Sequence, residues 1–175
     1  MNIWFTSDTH FFHKRVLEYC PNTRPVSTVE EMNEVIITNW NNQVGDNDTV
    51  YHLGDFALCK WGKAESILKQ LKGNIHLIKG NHDNSWFKLE SKKYFDGVYD
   101  YLELTIKGAH VVLMHYPIAE FHRKHYGSFH IHGHSHGSFI APGRYMDVGI
   151  DTRPNGDMKL WHWDEVYNFL SNKPY

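Results

Sequence analysis

Cysteine is scarce in this 175-residue chain, where Cys20 and Cys59 are the only two. They are too few for a disulfide framework and lack the paired spacing of a zinc knuckle, so both read as reduced, structural thiols. No apolar run approaches ~18 residues, so there is no candidate membrane-spanning helix, and the first residues lack the basic, apolar and small-residue regions of a signal peptide. A soluble cytoplasmic protein, with no membrane partner, is therefore expected. Neither sign of charge is in excess. Lys and Arg number 18 against 20 Asp and Glu, a formal net charge of −2, which argues against a protein that lives by non-specific nucleic-acid binding, although a local basic patch is compatible with it. Linkers, internal repeats and low-complexity segments are missing too, so a single domain over residues 1–175 is expected.

Apolar residues are plentiful at 41%, with 15% aromatic, which supports a sizeable core and excludes disorder. The unusual count is 14 histidines. Four of them alternate in Phe129-His130-Ile131-His132-Gly133-His134-Ser135-His136. In an extended backbone that spacing points all four imidazoles to one face. Such a strand gives up apolar burial, and neutral imidazole is the commonest metal ligand among side chains, so the run points to a metal.

Taken in order, residues 2–6 read as a short buried strand that delivers Ser7-Asp8-Thr9-His10 into a loop. Ser27 with Glu30 forms a capping box ahead of Val29, Met32, Ile36 and Trp40, which predicts a helix over 28–43. A strand over 49–53 ends at Gly54-Asp55. The spacing of Ala64, Ile67, Leu68 and Leu71 predicts a helix that stops at Gly73. The next strand, 75–79, ends at Gly80-Asn81-His82-Asp83. Alternation over 98–106 predicts one antiparallel strand, and 109–114 a buried one that delivers His115. After a basic, aromatic loop over 116–128 come the histidine-rich strand, strands over 143–148 and 159–163, and a helix marked by Trp163, Val166, Tyr167 and Leu170. Helix and strand alternate early and strands dominate later. That order predicts a mixed α/β fold with two packed sheets and helices outside.

Five segments leave strand ends carrying Asp, Asn and His but no thiolate: Asp8-Thr9-His10, Gly54-Asp55, Gly80-Asn81-His82-Asp83, His115 and Gly133-His134-Ser135-His136. Oxygen and imidazole donors suit Mn, Fe, Zn or Mg at a catalytic centre better than a closed structural zinc site. Each segment alone is a weak signal. Together and in this order they resemble the signature of the calcineurin-like metallophosphoesterases. Trp40-Asn41, the segment from Asp48 to Phe56, His115-Tyr116-Pro117 and Val148-Gly149-Ile150-Asp151 extend the likeness, over most of the chain, to the small bacterial and phage branch.

That resemblance implies a four-layer αββα sandwich, two mixed β-sheets flanked by helices, with a dinuclear centre at one rim. It implies that Asp8, His10, Asp55 and His136 hold one divalent ion, and that Asp55, Asn81, His115 and His134 hold the other, with Asp55 bridging. Mn is foremost, and Fe, Zn, Ni or Mg are also suited. The implied reaction is hydrolysis of a phosphodiester or phosphomonoester by a hydroxide bridging the ions. His82 would protonate or stabilise the leaving oxygen, and Asp83 is the candidate partner favouring its imidazolium form. The chain departs from the Ser/Thr protein phosphatases of the superfamily: Phe56-Ala57-Leu58 follows Gly54-Asp55 where they have Asp-Arg-Gly, and Asp83 replaces Glu. The expected partner is accordingly a small phosphorylated molecule, nucleotides included, rather than a phosphoprotein.

A nuclease of the same fold is the enzymatic alternative and would need a basic groove. A binding scaffold is the non-catalytic one, and would be expected to lose ligands that are all filled here. His13 and Arg24 are candidate substrate contacts, against the plain alternative of a solvated loop; Arg123, Lys124, His125 and Tyr126 are weaker ones. His130 and His132 are expected to support rather than ligate, and turn chemistry explains Asp147 and Asp151 as well as ligand orientation does.

Overall fold

Short buried strands alternate with helices in the first half of the chain. In the computed structural model, which describes residues 1–174, β1 (Ile3–Thr6), β2 (Thr49–His52), β3 (Asn74–Ile78) and β4 (Gly97–Tyr99) pair in parallel. The short β9 (Trp161–His162) joins the free side of β1 antiparallel, completing a five-stranded sheet in the order β4-β3-β2-β1-β9. The second sheet has the order β5-β6-β7-β8, formed by Tyr101–Ile106, Ala109–Met114, Phe129–His132 and Tyr145–Asp147. Its first pair is antiparallel and the others are parallel. Both sheets are thus mixed, and helices flank them, as expected.

The α-helices among the described residues are α1 (Val16–Tyr19), α2 (Val29–Gln43), α3 (Trp61–Leu68) and α4 (Trp163–Ser171). Met32, Ile36 and Trp40 of α2 and Ala64, Ile67 and Leu68 of α3 bury against Val50, Ile75 and Leu77 on one face of the first sheet. The opposite face, with Phe5, Tyr51 and Ile78, packs on Val111, Leu113, Phe129 and Ile131 of the second sheet, and α4 adds Trp163, Val166 and Leu170 to that core. Strand periodicity sends neighbouring residues to opposite faces, so Val50 and Tyr51 serve different cores. Among the described residues no helix is long and apolar enough to cross a membrane.

The expected strand over 98–106 is two strands. It breaks at Asp100, so Gly97–Tyr99 extends the first sheet and Tyr101–Ile106 begins the second. An alternating pattern reports which residues are covered but not by which sheet, and it continues through the corner. The cap of α2 also lies one residue later than expected. Thr28 accepts from the Glu31 amide at 3.1 Å, and Glu31 accepts from the Ser27 amide at 2.9 Å.

Candidate metal centre

The parallel register of β1, β2 and β3 brings their carboxyl ends to one rim, where the Asp8, Asp55 and Asn81 segments emerge. Parallel pairing of β6 with β7 places the His115 and His134 segments together, and the Gly133 amide donates to the His115 carbonyl at 2.9 Å. The rims of the two sheets are joined directly. The His134 amide donates to Asp8 Oδ2 at 2.9 Å, and the His115 ring nitrogen Nδ1 lies 2.7 Å from the Leu53 carbonyl.

The histidine run does not stay extended. β7 stops at His132, and His134 and His136 have φ of 66° and 47°. Asp8, His10 and Asp55 share this left-handed backbone, at 55°, 50° and 55°. The expected common face for four imidazoles is therefore corrected: only His130 and His132 sit on the strand. A left-handed non-glycine residue costs about 1–3 kcal/mol, which persists only where surrounding contacts over-determine it. Gly133 contributes to that over-determination, because a Cβ there would overlap Ser7 Oγ and lie 2.6 Å from Asp8 Oδ2.

Two donor groups result. Asp8, His10 and His136 each present a ligand atom within 4.8 Å of one another, and so do Asp55, His115 and His134. Asp55 Oδ2 lies between them, 3.9 Å from His10 Nε2 and 3.6 Å from His115 Nε2. Asn81 Oδ1 is 3.1 Å from the same His115 nitrogen. The His10 and His136 Nε2 atoms are each 3.9 Å from Asp8 Oδ1. These wider gaps are too long for hydrogen bonds but can be spanned by two metal–ligand bonds of about 2.0–2.2 Å.

The donor chemistry fits divalent cations. Asp8 is fully buried, and its Oδ1 has no hydrogen-bond partner. Burial raises its pKa to about 7, although His136 and His115 pull the other way. A cation would satisfy that orphaned oxygen and hold the carboxylate ionised. His10 is held neutral, its pKa lowered to about 2 by burial and then by Arg24 and neighbouring imidazoles, leaving a ring nitrogen lone pair free to ligate.

A second set of residues orients the first. Asp151 accepts from His136 Nδ1 at 2.7 Å, from Arg24 Nη2 at 2.6 Å and from Thr23 Oγ1 at 2.6 Å. Burial is the largest influence on both members of the His136–Asp151 pair and opposes their charge. Their mutual hydrogen bond, together with Cys20 and Asp8 beside His136 and with Arg24 and Thr23 beside Asp151, outweighs it, raising His136 to about 10 and holding Asp151 well below the usual carboxylate range. A carboxylate on Nδ1 fixes the ring and aims Nε2 at the centre. Asp147 accepts from Ser135 Oγ at 2.7 Å and from the Gly137 amide at 2.9 Å, pinning the same loop. Of the two readings open for Asp147 and Asp151, ligand orientation describes Asp151 on His136, while Asp147 combines it with turn chemistry through the Gly149 amide at 2.8 Å. Their proximity to Gly149 was visible in the sequence, but their partners lie up to 128 residues away in the chain.

Two expected roles are corrected, Arg24 as a substrate contact and Asp83 as the partner of His82. Arg24 is only 1% exposed. Besides gripping Asp151, its guanidinium donates to the Asp8 and Thr9 carbonyls at 2.6 and 3.0 Å, so it braces the loop from beneath instead of facing a substrate. Asp83 is fully buried, and its oxygens accept from the amides of Asp55, Phe56 and Gly80 and from Trp86 Nε1, at 2.7–3.0 Å. It ties the Gly54 and Gly80 loops together, with its carboxylate turned to that cage and not to His82. His82 itself reaches the rim, 41% exposed, with Nε2 3.9 Å from Asp55 Oδ2, while its amide donates to Asp55 Oδ1 at 2.8 Å.

A cavity of about 690 Å³ opens over the centre, lined by His10, His13, Asp55, His82, His134 and His136 on one side and by Val16, Tyr19, Cys20 and Pro21 on the other. His13 is thus placed at the cavity, its ring 6.2 Å from that of His82. Arg123 and Tyr126 line a different cavity. His130 is buried on the outer face of the second sheet, where Ile118 donates its amide to Nε2 at 3.2 Å. His132 Nδ1 lies 2.9 Å from the Gly133 carbonyl.

Residues 1–144 match the model of the calcineurin-like phosphoesterase superfamily domain. The chain belongs to that superfamily. Calcineurin-like phosphoesterases are metal-dependent phosphoric ester hydrolases, and the two Asp/His donor groups are candidate sites for the metals that this membership implies. Protein MJ1445 of Methanocaldococcus jannaschii is 39% identical over 150 residues, covering 81% of this chain and 77% of its own. The gene 66 protein of Mycobacterium phage L5 is 28% identical over 98% of this chain and 95% of its own. Among solved structures, AQ665 of Aquifex aeolicus, described as a protein of unknown function, shares 29% identity with a TM-score of 0.72, covering 96% of this chain and 98% of that one. This calcineurin-like phosphoesterase therefore has a structurally similar relative of nearly its own extent.

Proposed function

We propose that this phosphoesterase hydrolyses a phosphodiester or phosphomonoester bond of a small phosphorylated molecule, nucleotides included, at a centre of two divalent ions, in the cytoplasm. Asp8, His10 and His136 would hold one ion, Asn81, His115 and His134 the other, and Asp55 would be shared. The observation that carries this reading is Asp55 Oδ2, set between the two donor groups at 3.6–3.9 Å from imidazole nitrogens of each.

Divalent ions bound there would supply positive charge for the phosphoryl oxygens and acidify water. The chain's own groups do the rest. The His82 amide holds one oxygen of Asp55, leaving the other for the centre. Asp151 keeps His136 in the orientation that presents Nε2. The His82 imidazole, at the open side of the rim, would deliver a proton to the departing oxygen. His13 lines the same opening and is held neutral, its pKa lowered by burial and by His82; it is suited to accept a hydrogen bond from substrate.

A nitrophenyl phosphodiester and the matching monoester test the proposal. Chelator-treated protein should be inactive on both, and Mn should restore hydrolysis of at least one. Absence of turnover with two Mn bound per chain would refute it. A short single-stranded oligonucleotide, cleaved in preference to both, would shift the substrate assignment to nucleic acid.

A further inference from the structure

Glu103, His110 and His122 meet on the second sheet, and none of them belongs to the rim centre. Glu103 is on β5, His110 on β6, and His122 in the segment that links β6 to β7. Their ligand atoms all lie within 4.8 Å of one another. We propose that these three side chains form a separate zinc site.

Glu103 Oε2 is 3.5 Å from His110 Nε2 and 2.7 Å from His122 Nδ1, and the two rings stand at 87° with centroids 5.2 Å apart. His110 Nε2 is buried and has no hydrogen-bond partner. A surface ion pair between Glu103 and His122 would account for the short contact but would leave that nitrogen orphaned, which a native structure rarely tolerates. One cation satisfies all three groups. Tetrahedral zinc with bonds of about 2.0–2.1 Å sets its ligand atoms roughly 3.3–3.4 Å apart. The His110 distance already matches. The His122 distance must open by about 0.6 Å to reach it, and a side chain that is 59% exposed has room to move.

The groups around the site are ordered for ligation. Tyr101 Oη donates to Glu103 Oε1 at 2.6 Å, leaving Oε2 to face the imidazoles. Ser128 Oγ donates to the His122 carbonyl at 2.7 Å, fixing the backbone that presents the ring. Two imidazoles and one carboxylate suit zinc, whereas Ca and Mg favour all-oxygen sets, and exposure to solvent leaves a fourth position for water. Zinc there would tether the β5–β6 hairpin to the segment that begins at His115, including Tyr116, whose ring lies 4.6 Å from that of His134.

The test is zinc titration by calorimetry after chelation, on wild type, His122→Ala, the double variant His110→Ala/His122→Ala, and Asp55→Asn. The double variant should bind one zinc fewer per chain than wild type, and His122→Ala should weaken that equivalent by at least about 10²-fold. Asp55→Asn, which disturbs only the rim, should keep it. Cobalt in place of zinc should give tetrahedral visible bands that survive in Asp55→Asn and vanish in the double variant. Equal zinc stoichiometry and affinity in wild type and the double variant would overturn the proposal, as would loss of all zinc from Asp55→Asn. Since His122 is exposed, its single variant tests the site without endangering the fold.

Discussion

At the scale of single residues, the neighbours His82 and Asp83 do opposite things. His82 reaches the open rim, so His82→Ala should retain bound metal and lose about 10²–10⁴ in turnover, measured with metal content on the same sample; near-normal turnover would remove it from the mechanism. Asp83 is the hub of a buried cage of four N–H donors. Asp83→Ala strands those donors, and denaturant titration should show a loss on the order of 3–5 kcal/mol. A variant of unchanged stability but lost activity would return Asp83 to the chemistry. All seven candidate ligands were legible as residue types past strand ends. The jobs of Asp83 and Arg24 were not, because a carboxylate or guanidinium has the same letter whether it faces substrate or a ring of backbone groups. Only the distances separate the two.

At the scale of elements, the strands deliver residues and the loops aim them. Spacing was enough to place β1, β2, β3 and β6 before their donors. It could not show that the β7 run ends at His132, since alternation of His with small residues looks the same in a strand and in a left-handed turn. Gly133 marks the change. Because a Cβ there would strike Ser7 Oγ and crowd Asp8 Oδ2, Gly133→Ala should lower stability by about 1–3 kcal/mol and weaken metal binding, as the Asp8 loop must shift. Thermal denaturation with and without Mn checks both effects. If metal still stabilises the variant as much as the wild type, the coupling between this glycine and the Asp8 loop is absent. The corner at Asp100 was hidden for a related reason: covered faces continue on both sides of it while the strand changes sheet.

At the scale of the whole molecule, two cores share the first sheet, and buried imidazoles are built into both sheets. His52 bonds Thr9 Oγ1 at 2.9 Å under the rim, and His130 holds the 116–128 segment through the Ile118 amide. Burial lowers the pKa of His130 to about 4, with His132 adding to the effect. Between an unfolded value of 6.5 and about 4, the unfolded chain binds the proton that the folded chain refuses. Its contribution to stability is therefore complete above pH 6.5 and is lost as pH falls toward 4. Other groups act in both directions over this range, with the raised pKa of Asp8 favouring the folded state as pH falls. A comparison with His130→Gln cancels them, since they are common to both proteins. Between pH 7 and 5, wild-type stability should fall by about 2 kcal/mol more than that of His130→Gln, because pH 5 lies 1.5 units below the unfolded pKa at about 1.4 kcal/mol per unit. Chemical denaturation of metal-free protein at both pH values measures the difference. Equal losses would mean that the folded protein accepts a proton at His130 as readily as the unfolded chain, despite the packing of the Phe121 ring 5.1 Å from that of His130.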